Sequence, residues 1–222
     1  QSRLWWMGFL LMTLGESGNF LSYGFAPASL VSPLGAVSLL SNAVVAPTLL
    51  GEHLYLLDIA GMVLSIIGAV SVVCSVGPSG NVPLDPSSLW AALCEPTFVV
   101  YATSMLVLGI VLTVMCRRTQ AGSRSVLVHV GLCAVFGGFT VLATKAISSF
   151  LVHFRSASIV REPLFYMLLL VLLSTAVTQL IFLNQALQRF ESRHVIPSQF
   201  VLFTISTIIG SSILYHDLSK LS

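Results

Sequence analysis

Charged residues are scarce in this chain. Asp, Glu, Lys and Arg together make up 8% of its 222 residues, whereas a soluble globular domain carries about 25%. So few charges cannot cover the surface of a soluble fold with polar groups, and this class of protein is excluded. Because the net charge is only +2 and the basic residues are scattered, we also expect no nucleic-acid partner.

The motifs of several enzyme and metal-binding classes are missing as well. The four cysteines, Cys74, Cys94, Cys116 and Cys133, form no C-x-x-C pair, which favours thiols packed among apolar groups over a redox or metal site. No H-E-x-x-H, G-x-S-x-G or P-loop pattern occurs. The sequence therefore predicts a protein that is not an enzyme and that needs no cofactor.

Long apolar runs are what the chain has instead. A membrane-spanning helix needs about 20 mostly apolar residues. Helices are the expected form of such runs because lipid offers no partner to free backbone groups. The predicted fold is thus an all-α, polytopic membrane protein with about seven transmembrane helices. The seven runs lie at residues 4–25, 29–50, 58–76, 97–116, 126–150, 163–187 and 195–215.

The loops between these runs predict one transmembrane domain made of two halves. A basic linker, 117–125, separates a first half at 1–116 from a second half at 126–222. One side of the membrane collects more Lys and Arg than the other, which indicates that this side, with the linker, is cytoplasmic. The cytoplasmic set is Arg3, Arg117, Arg118, Arg124, Arg189 and Arg193, and the opposite set is Arg155, Arg161 and Lys220.

Two stretches of the sequence, 19–54 and 182–218, resemble each other. Each has a polar amide, a short turn, a proline that is expected at the start of the next helix, and an acid that closes that helix. The copies lie five spans apart, and an odd offset gives them opposite topology, as in many secondary transporters. The alternative is chance similarity between two hairpins rich in Ser and Leu. A five-span repeat also predicts one further span before residue 4 and at least one after residue 222.

Glu16 is the strongest candidate for a functional residue. It lies about halfway along the first predicted span, where a carboxylate costs roughly 2.5–3.5 kcal/mol, so we expect it to face the bundle interior or a wet cavity. Asn19 shares its helix face. Their oxygens suit a hard cation, and hydrated Mg²⁺ needs only one or two carboxylates. The alternative is a structural role, as an interhelical hydrogen bond or a salt bridge with Lys145.

The other polar side chains in the spans have weaker signals. Lys145 lies nearer the outer end of the fifth span, where we expect a structural or gating role. Asn184 stands above the other amides because the predicted repeat pairs its region with Asn19. Polar groups between membrane helices often serve only packing. A structural or gating role is therefore assigned to Asn42, Gln185, Pro33 and Pro197.

Three segments of the sequence, taken together and in order, resemble the NIPA-type magnesium transporters of the drug/metabolite transporter superfamily. They are G-E-x-x-N-F at 15–20, Y-x-F-A-P-A-x-L-V-x-P-L-G-A at 23–36, and L-N-Q-A-L followed by V-x-P at 183–197. The resemblance covers nearly the whole chain. It implies magnesium transport, an inverted-repeat bundle of nine spans of which the first and last are missing here, and ion contacts from Glu16, Asn19 and Asn184.

Two other functions stay open at this point. One is a carrier of a small organic metabolite within the same superfamily, and the other is a non-transporting membrane adaptor or trafficking factor. The expected partners are Mg²⁺ as substrate and the lipid bilayer. The sequence leaves the oligomeric state open, with a homo-oligomer among the options, and it leaves the membrane open between the plasma membrane and the endosomal endomembrane system.

Overall fold

The computed structural model of the protein describes residues 3–45, 47–48, 55–75, 86–119, 124–153 and 162–215. Regular structure in these ranges is helical, which confirms the predicted all-α fold. The described ranges contain nine α-helices. They are α1 (Arg3–Phe25), α2 (Ala28–Leu34), α3 (Val37–Val45), α4 (Leu56–Ser75), α5 (Pro86–Leu93), α6 (Pro96–Arg118), α7 (Val126–His153), α8 (Pro163–Arg189) and α9 (Ser192–Tyr215).

Helices lie at each of the seven predicted spans, with two differences. The second predicted span is divided into α2 and α3, because the backbone leaves the α-helix after Leu34. There the amides of Gly35 and Ala36 bond to carbonyls only three residues back, at 3.2 and 3.0 Å. The second difference is α5, a helix of eight residues where no span was predicted.

The prediction that Pro33 and Pro197 open their helices is wrong. Each proline is the sixth residue of its helix, because α2 begins at Ala28 and α9 begins at Ser192. In α2 the added first turn is held by the Pro27 carbonyl, which accepts two backbone hydrogen bonds. The equal position of the two prolines agrees with the predicted repeat, which stays a prediction.

Four described helices are long and apolar enough to cross a membrane. They are α6, α8 and most of α7 and α9. Two shorter apolar stretches lie at Ala28–Ser41, which contains α2 and part of α3, and at Ile59–Ser75 in α4. α1 has 23 residues and carries Glu16 and Asn19 in its second half. The chain is therefore an integral, multi-pass membrane protein.

α7 is the central helix of the bundle. In its most apolar 18-residue stretch, 67% of the residues are buried, whereas only 11–17% are buried in the corresponding stretches of α6, α8 and α9. α1, α6, α8 and α9 all pack directly against α7. The outer helices thus present their remaining apolar surface to the surroundings, as lipid requires, and α7 supplies the core.

Several predicted features lie outside the described residues. These include the acids that close the two predicted repeats, Glu52 and Asp217, and the basic residues assigned to the outer side, Arg155, Arg161 and Lys220. The division into two halves and the cytoplasmic position of the linker stay predictions.

Candidate functional site

A cavity of about 820 Å³ lies between α1, α7, α8 and α9. Glu16 and Asn19 line it from α1, Thr140 and Thr144 line it from α7, and Gln179 lines it from α8. Two of the three residues that were predicted to contact the ion therefore face one common space.

α1 is held against α7 by a hydrogen bond and a close helix approach. Ser148 Oγ donates to the Phe20 carbonyl at 2.7 Å. One turn further along α1, Gly24 faces the same serine, and a Cβ at this position would lie 2.6 Å from Ser148 Oγ. Only glycine allows this approach, which brings the α1 side chains Glu16 and Asn19 to the cavity.

The α7 wall of the cavity presents hydroxyl oxygens. Thr140 Oγ1 donates to Thr175 Oγ1 at 2.9 Å, and Thr144 Oγ1 donates to the Thr140 carbonyl at 2.7 Å. A hydroxyl that has used its hydrogen in this way keeps its oxygen lone pairs as acceptors. Thr140 and Thr144 can thus accept hydrogen bonds from the hydration shell of a cation.

Gly137 of α7 makes room for two further lining side chains. A Cβ at this position would lie 3.2 Å from Gln179 Oε1 and 2.7 Å from Phe203 Cδ2. Because glycine carries no side chain, the α8 amide and the α9 ring both approach the α7 backbone. Gln179 therefore adds an amide to the site, and Phe203 adds an aromatic wall.

Glu16 is the only charged side chain among the described lining residues. No described residue lies in salt-bridge contact with its carboxylate. Lys145, the salt-bridge partner considered from the sequence, is not among the lining residues. Its Nζ lies 4.8 Å from the centre of the Tyr215 ring, and its side chain is 4% exposed.

The donor set favours a hard cation. Carboxylate, amide and hydroxyl oxygens line the cavity, and cysteine and histidine are absent from its described lining. Oxygen ligands suit Mg²⁺ and Ca²⁺, whereas sulfur and imidazole select softer metals. Within the described ranges no group of three or more His, Cys, Asp or Glu side chains exists that could hold a tightly bound metal.

Comparison with known proteins identifies the family. The family model described as "Magnesium transporter NIPA" matches residues 1–222. The chain belongs to the NIPA family.

Individual relatives agree with this assignment. The chain is 36% identical to the probable magnesium transporter NIPA6 of Arabidopsis thaliana, over 97% of the chain and 66% of that relative. It is 37% identical to the probable magnesium transporter NIPA4 of the same plant, over 96% of the chain and 62% of the relative. It is 33% identical to the magnesium transporter NIPA3 of Homo sapiens, over 96% of the chain and 52% of the relative.

The chain thus spans about two thirds or less of the length of these relatives. No solved structure matches it.

The structure separates the three residues that the NIPA resemblance assigned to the ion. Glu16 and Asn19 lie in the cavity, whereas Asn184 is exposed on α8 and is not among the lining residues. Gln185 is half-buried and also lies outside the lining, and Pro33 is fully buried in α2. The side chain of Asn42 lies outside the described part of the chain. The roles assigned to these four residues stay predictions.

Three polar residues that line the cavity from α7 and α8 were not singled out from the sequence: Thr140, Thr144 and Gln179. Gln179 is one of several amides in the predicted spans, and its sequence context does not distinguish it from the others. The spacing of Thr140 and Thr144, four residues apart, places both on one face of a helix, so a polar stripe was visible. The sequence did not show that this stripe on α7 faces α1, because the pairing depends on the close approach of the two helices.

Proposed function

We propose that this chain transports Mg²⁺ and that Glu16 is the charged group that attracts the ion into the cavity. The observation that carries the proposal is the meeting of Glu16 and Asn19 with Thr140, Thr144 and Gln179 in one cavity. Its relatives are named magnesium transporters, which supports the choice of ion. In this function Mg²⁺ is the substrate, no reaction is catalysed and no cofactor is required.

The cavity suits an ion that keeps its water. Mg²⁺ dehydrates reluctantly and binds proteins through one or two carboxylates with several waters retained. Six waters occupy on the order of 180 Å³ at about 30 Å³ each, well within the cavity of about 820 Å³. Glu16 neutralises part of the charge, while the amide and hydroxyl oxygens accept hydrogen bonds from the water shell.

Transport requires the cavity to open to each side of the membrane in turn. In the predicted inverted repeat, α1 with α2 and α3 corresponds to α8 with α9, and rocking of such halves is the usual mechanism of these carriers. α1 and α8 both line the cavity, so a relative movement of the two halves would change its walls. The plasma membrane and the endosomal endomembranes are the two locations in which we place this activity.

Uptake into proteoliposomes tests the proposal. The purified chain is reconstituted around a magnesium-sensitive dye, as wild type and as Glu16→Gln. Loss of a charge-assisted contact is worth about 1.5–3 kcal/mol, so we expect Mg²⁺ flux to fall by about ten-fold or more. Glu191→Gln is the matched control, because it removes the same charge from an exposed site outside the cavity, and its flux should equal that of the wild type.

Two results would contradict this function. One is the absence of Mg²⁺ flux through the wild-type chain, and the other is unchanged flux through Glu16→Gln. A metabolite carrier would instead show a thermal shift with an organic solute and none with Mg²⁺.

A further inference from the structure

A second cavity, of about 700 Å³, lies between α5 and the beginning of α8, and we refer to it as the α5–α8 cavity. Ser87 and Trp90 line it from α5, and Leu164 and Met167 line it from α8 together with Glu162, which directly precedes that helix. Pockets for small molecules have volumes of about 300–1,000 Å³. The described linings of this cavity and of the Glu16 cavity share no residue, so the two are separate sites.

α5 is a short helix that is fixed to the bundle by one apolar residue. Leu89 is 0% exposed and packs in a core cluster with Phe98 of α6 and Leu164 of α8. Trp90, the next residue, is 55% exposed and lines the cavity. The core therefore positions α5, while the indole ring beside the cavity remains accessible to a ligand.

Glu162 is the only charged side chain among the described lining residues of the α5–α8 cavity. It occupies the cap position of α8, but its carboxylate makes no cap hydrogen bond to that helix. It forms no ion pair with another described residue either. The positive N-terminal end of the helix favours the ionised form of this acid, so the cavity has a negative charge that a cationic ligand can neutralise.

The other lining side chains favour an organic cation over a metal ion. Indole is the aromatic ring that attracts cations most strongly, and quaternary ammonium ligands are recognised by such rings. Leu164 and Met167 add apolar surface that suits the methyl groups of a quaternary ammonium. Hydrated Mg²⁺ would instead need oxygen ligands, and only two of the described lining side chains, Ser87 and Glu162, carry an oxygen atom.

The surface beside the cavity favours a lipid over a soluble cation. α8 begins at the cavity and has Arg189 in its last turn, so the cavity lies at the end of the bundle opposite this basic residue. From Met167 a row of exposed apolar side chains continues along α8 through Leu170, Leu173 and Val177. Their spacing of three or four residues places them on one helix face, which provides a surface for acyl chains next to the cavity.

We propose that the α5–α8 cavity binds the headgroup of a choline phospholipid from the surrounding bilayer. The trimethylammonium group lies against the Trp90 ring, close to the Glu162 carboxylate. The phosphate accepts a hydrogen bond from the Ser87 hydroxyl, and the acyl chains follow the apolar row that begins at Met167. This inference concerns a separate site and does not depend on the transport of Mg²⁺.

Native mass spectrometry of the purified chain tests the charge of the site, with phosphatidylcholine or phosphatidylglycerol added to the detergent. We expect the wild type to retain phosphatidylcholine in preference to phosphatidylglycerol, because the single lining charge is negative. Glu162→Gln should weaken phosphatidylcholine binding a few-fold, and Glu162→Lys should reverse the preference. Glu191→Gln is the matched control, because it removes the same charge from an exposed site outside this cavity, and its lipid binding should equal that of the wild type.

A second set of variants tests the aromatic ring. Trp90→Leu should weaken phosphatidylcholine binding a few-fold, whereas Trp90→Phe keeps an aromatic face and should retain most of the binding. Trp6→Leu is the matched control, because Trp6 is 52% exposed on α1 and lies outside the described lining. Phosphatidylcholine should raise the melting temperature of the wild type and of Trp6→Leu by the same amount, and that of Trp90→Leu by less.

Soluble phosphocholine distinguishes the lipid from its free headgroup. It carries the same charged groups without acyl chains, so we expect it to displace phosphatidylcholine only at much higher concentrations. Displacement at concentrations equal to those of the lipid would overturn the assignment to a lipid. Equal retention of the two phospholipids by the wild type would overturn the site itself, as would unchanged phosphatidylcholine binding in Glu162→Lys or Trp90→Leu.

Discussion

Glu16 and Lys145, the two charged side chains that the sequence places deep within its spans, have opposite surroundings. Glu16 is exposed to a cavity of about 820 Å³ beside Asn19 and the α7 threonines. Lys145 is 4% exposed, and its ammonium lies over the Tyr215 ring beside an apolar cluster that includes Leu142 and Ala146.

The comparison shows that two charges that are equally rare in the sequence can have opposite degrees of burial in the fold. Both residues interrupt apolar runs, and both carry the cost of a charge in a membrane protein. Access to water is what separates them, because an ion can only be exchanged with a group that solvent reaches. We therefore expect changes around Glu16 to alter flux without altering stability, and changes around Lys145 to do the reverse.

The largest expected effect is at Glu16. Glu16→Gln should reduce flux by about ten-fold or more while the melting temperature stays within error, because no described residue pairs with this carboxylate. Flux in proteoliposomes and thermal unfolding in detergent measure the two quantities on one preparation. A large fall in melting temperature would contradict the proposed difference between Glu16 and Lys145, since it would show that Glu16 also stabilises the helix bundle.

The next effect is at the ring under Lys145. Tyr215→Leu should lower the free energy of unfolding by about 3–5 kcal/mol, because it removes a large buried side chain and leaves a buried ammonium without its ring. Tyr215→Phe keeps the ring and loses the hydrogen bond to the Leu142 carbonyl at 2.7 Å, so about 1 kcal/mol is expected. Denaturant titration followed by circular dichroism checks both. Mg²⁺ flux per folded molecule should be unchanged in both variants. If Tyr215→Phe lost flux without losing stability, Lys145 and Tyr215 would have a role in transport.

A smaller effect is expected where α1 meets α7. A side chain at position 24 would contact Ser148 Oγ at 2.6 Å and the Ser148 carbonyl at 3.0 Å, and the carbonyl cannot rotate away. Gly24→Ala should therefore cost about 1–3 kcal/mol by overpacking and should reduce flux, because α1 positions Glu16. Gly15→Ala is the control on the same helix, since nothing lies within 4 Å of its added Cβ. Equal behaviour of the two variants would mean that the approach of α1 to α7 does not shape the cavity.

The smallest effect is expected at the threonine hydroxyls that line the cavity from α7. Thr140→Val removes one oxygen acceptor from the cavity and its 2.9 Å bond to Thr175, which is worth about 1 kcal/mol and hence a few-fold weaker Mg²⁺ uptake. The concentration dependence of flux measures this change. Thr113→Val, whose hydroxyl bonds to the Gly109 carbonyl at 2.7 Å on the outer helix α6, should leave the concentration dependence as it is in the wild type.

The helices were accessible to prediction from the sequence because bilayer thickness sets the length of an apolar run. The break between α2 and α3 was not predicted, although Pro33 was noted. The position of a proline does not decide the outcome by itself, because Pro197 is also the sixth residue of its helix and α9 continues to Tyr215.

The candidate site was only half predicted for a similar reason. Glu16 and Asn19 were found because they lie on one helix, and spacing alone places them together. Thr140 and Gln179 join them through tertiary contacts that only Gly24, Ser148 and Gly137 make possible. Asn184 follows Gln179 by five residues, which turns it by about 140° around α8, so an amide on the expected helix points away from the cavity.

The bond between Ser148 and Phe20 joins residues 128 positions apart. A ribosome adds about 5–20 residues per second, so roughly 6–26 s pass between synthesis of Phe20 and synthesis of its partner. During that interval the Glu16 segment has been synthesised, whereas the α7 face that completes its cavity does not yet exist. The cavity is therefore assembled late, and α1 has to wait for α7 before Glu16 and Asn19 have the far wall of their cavity.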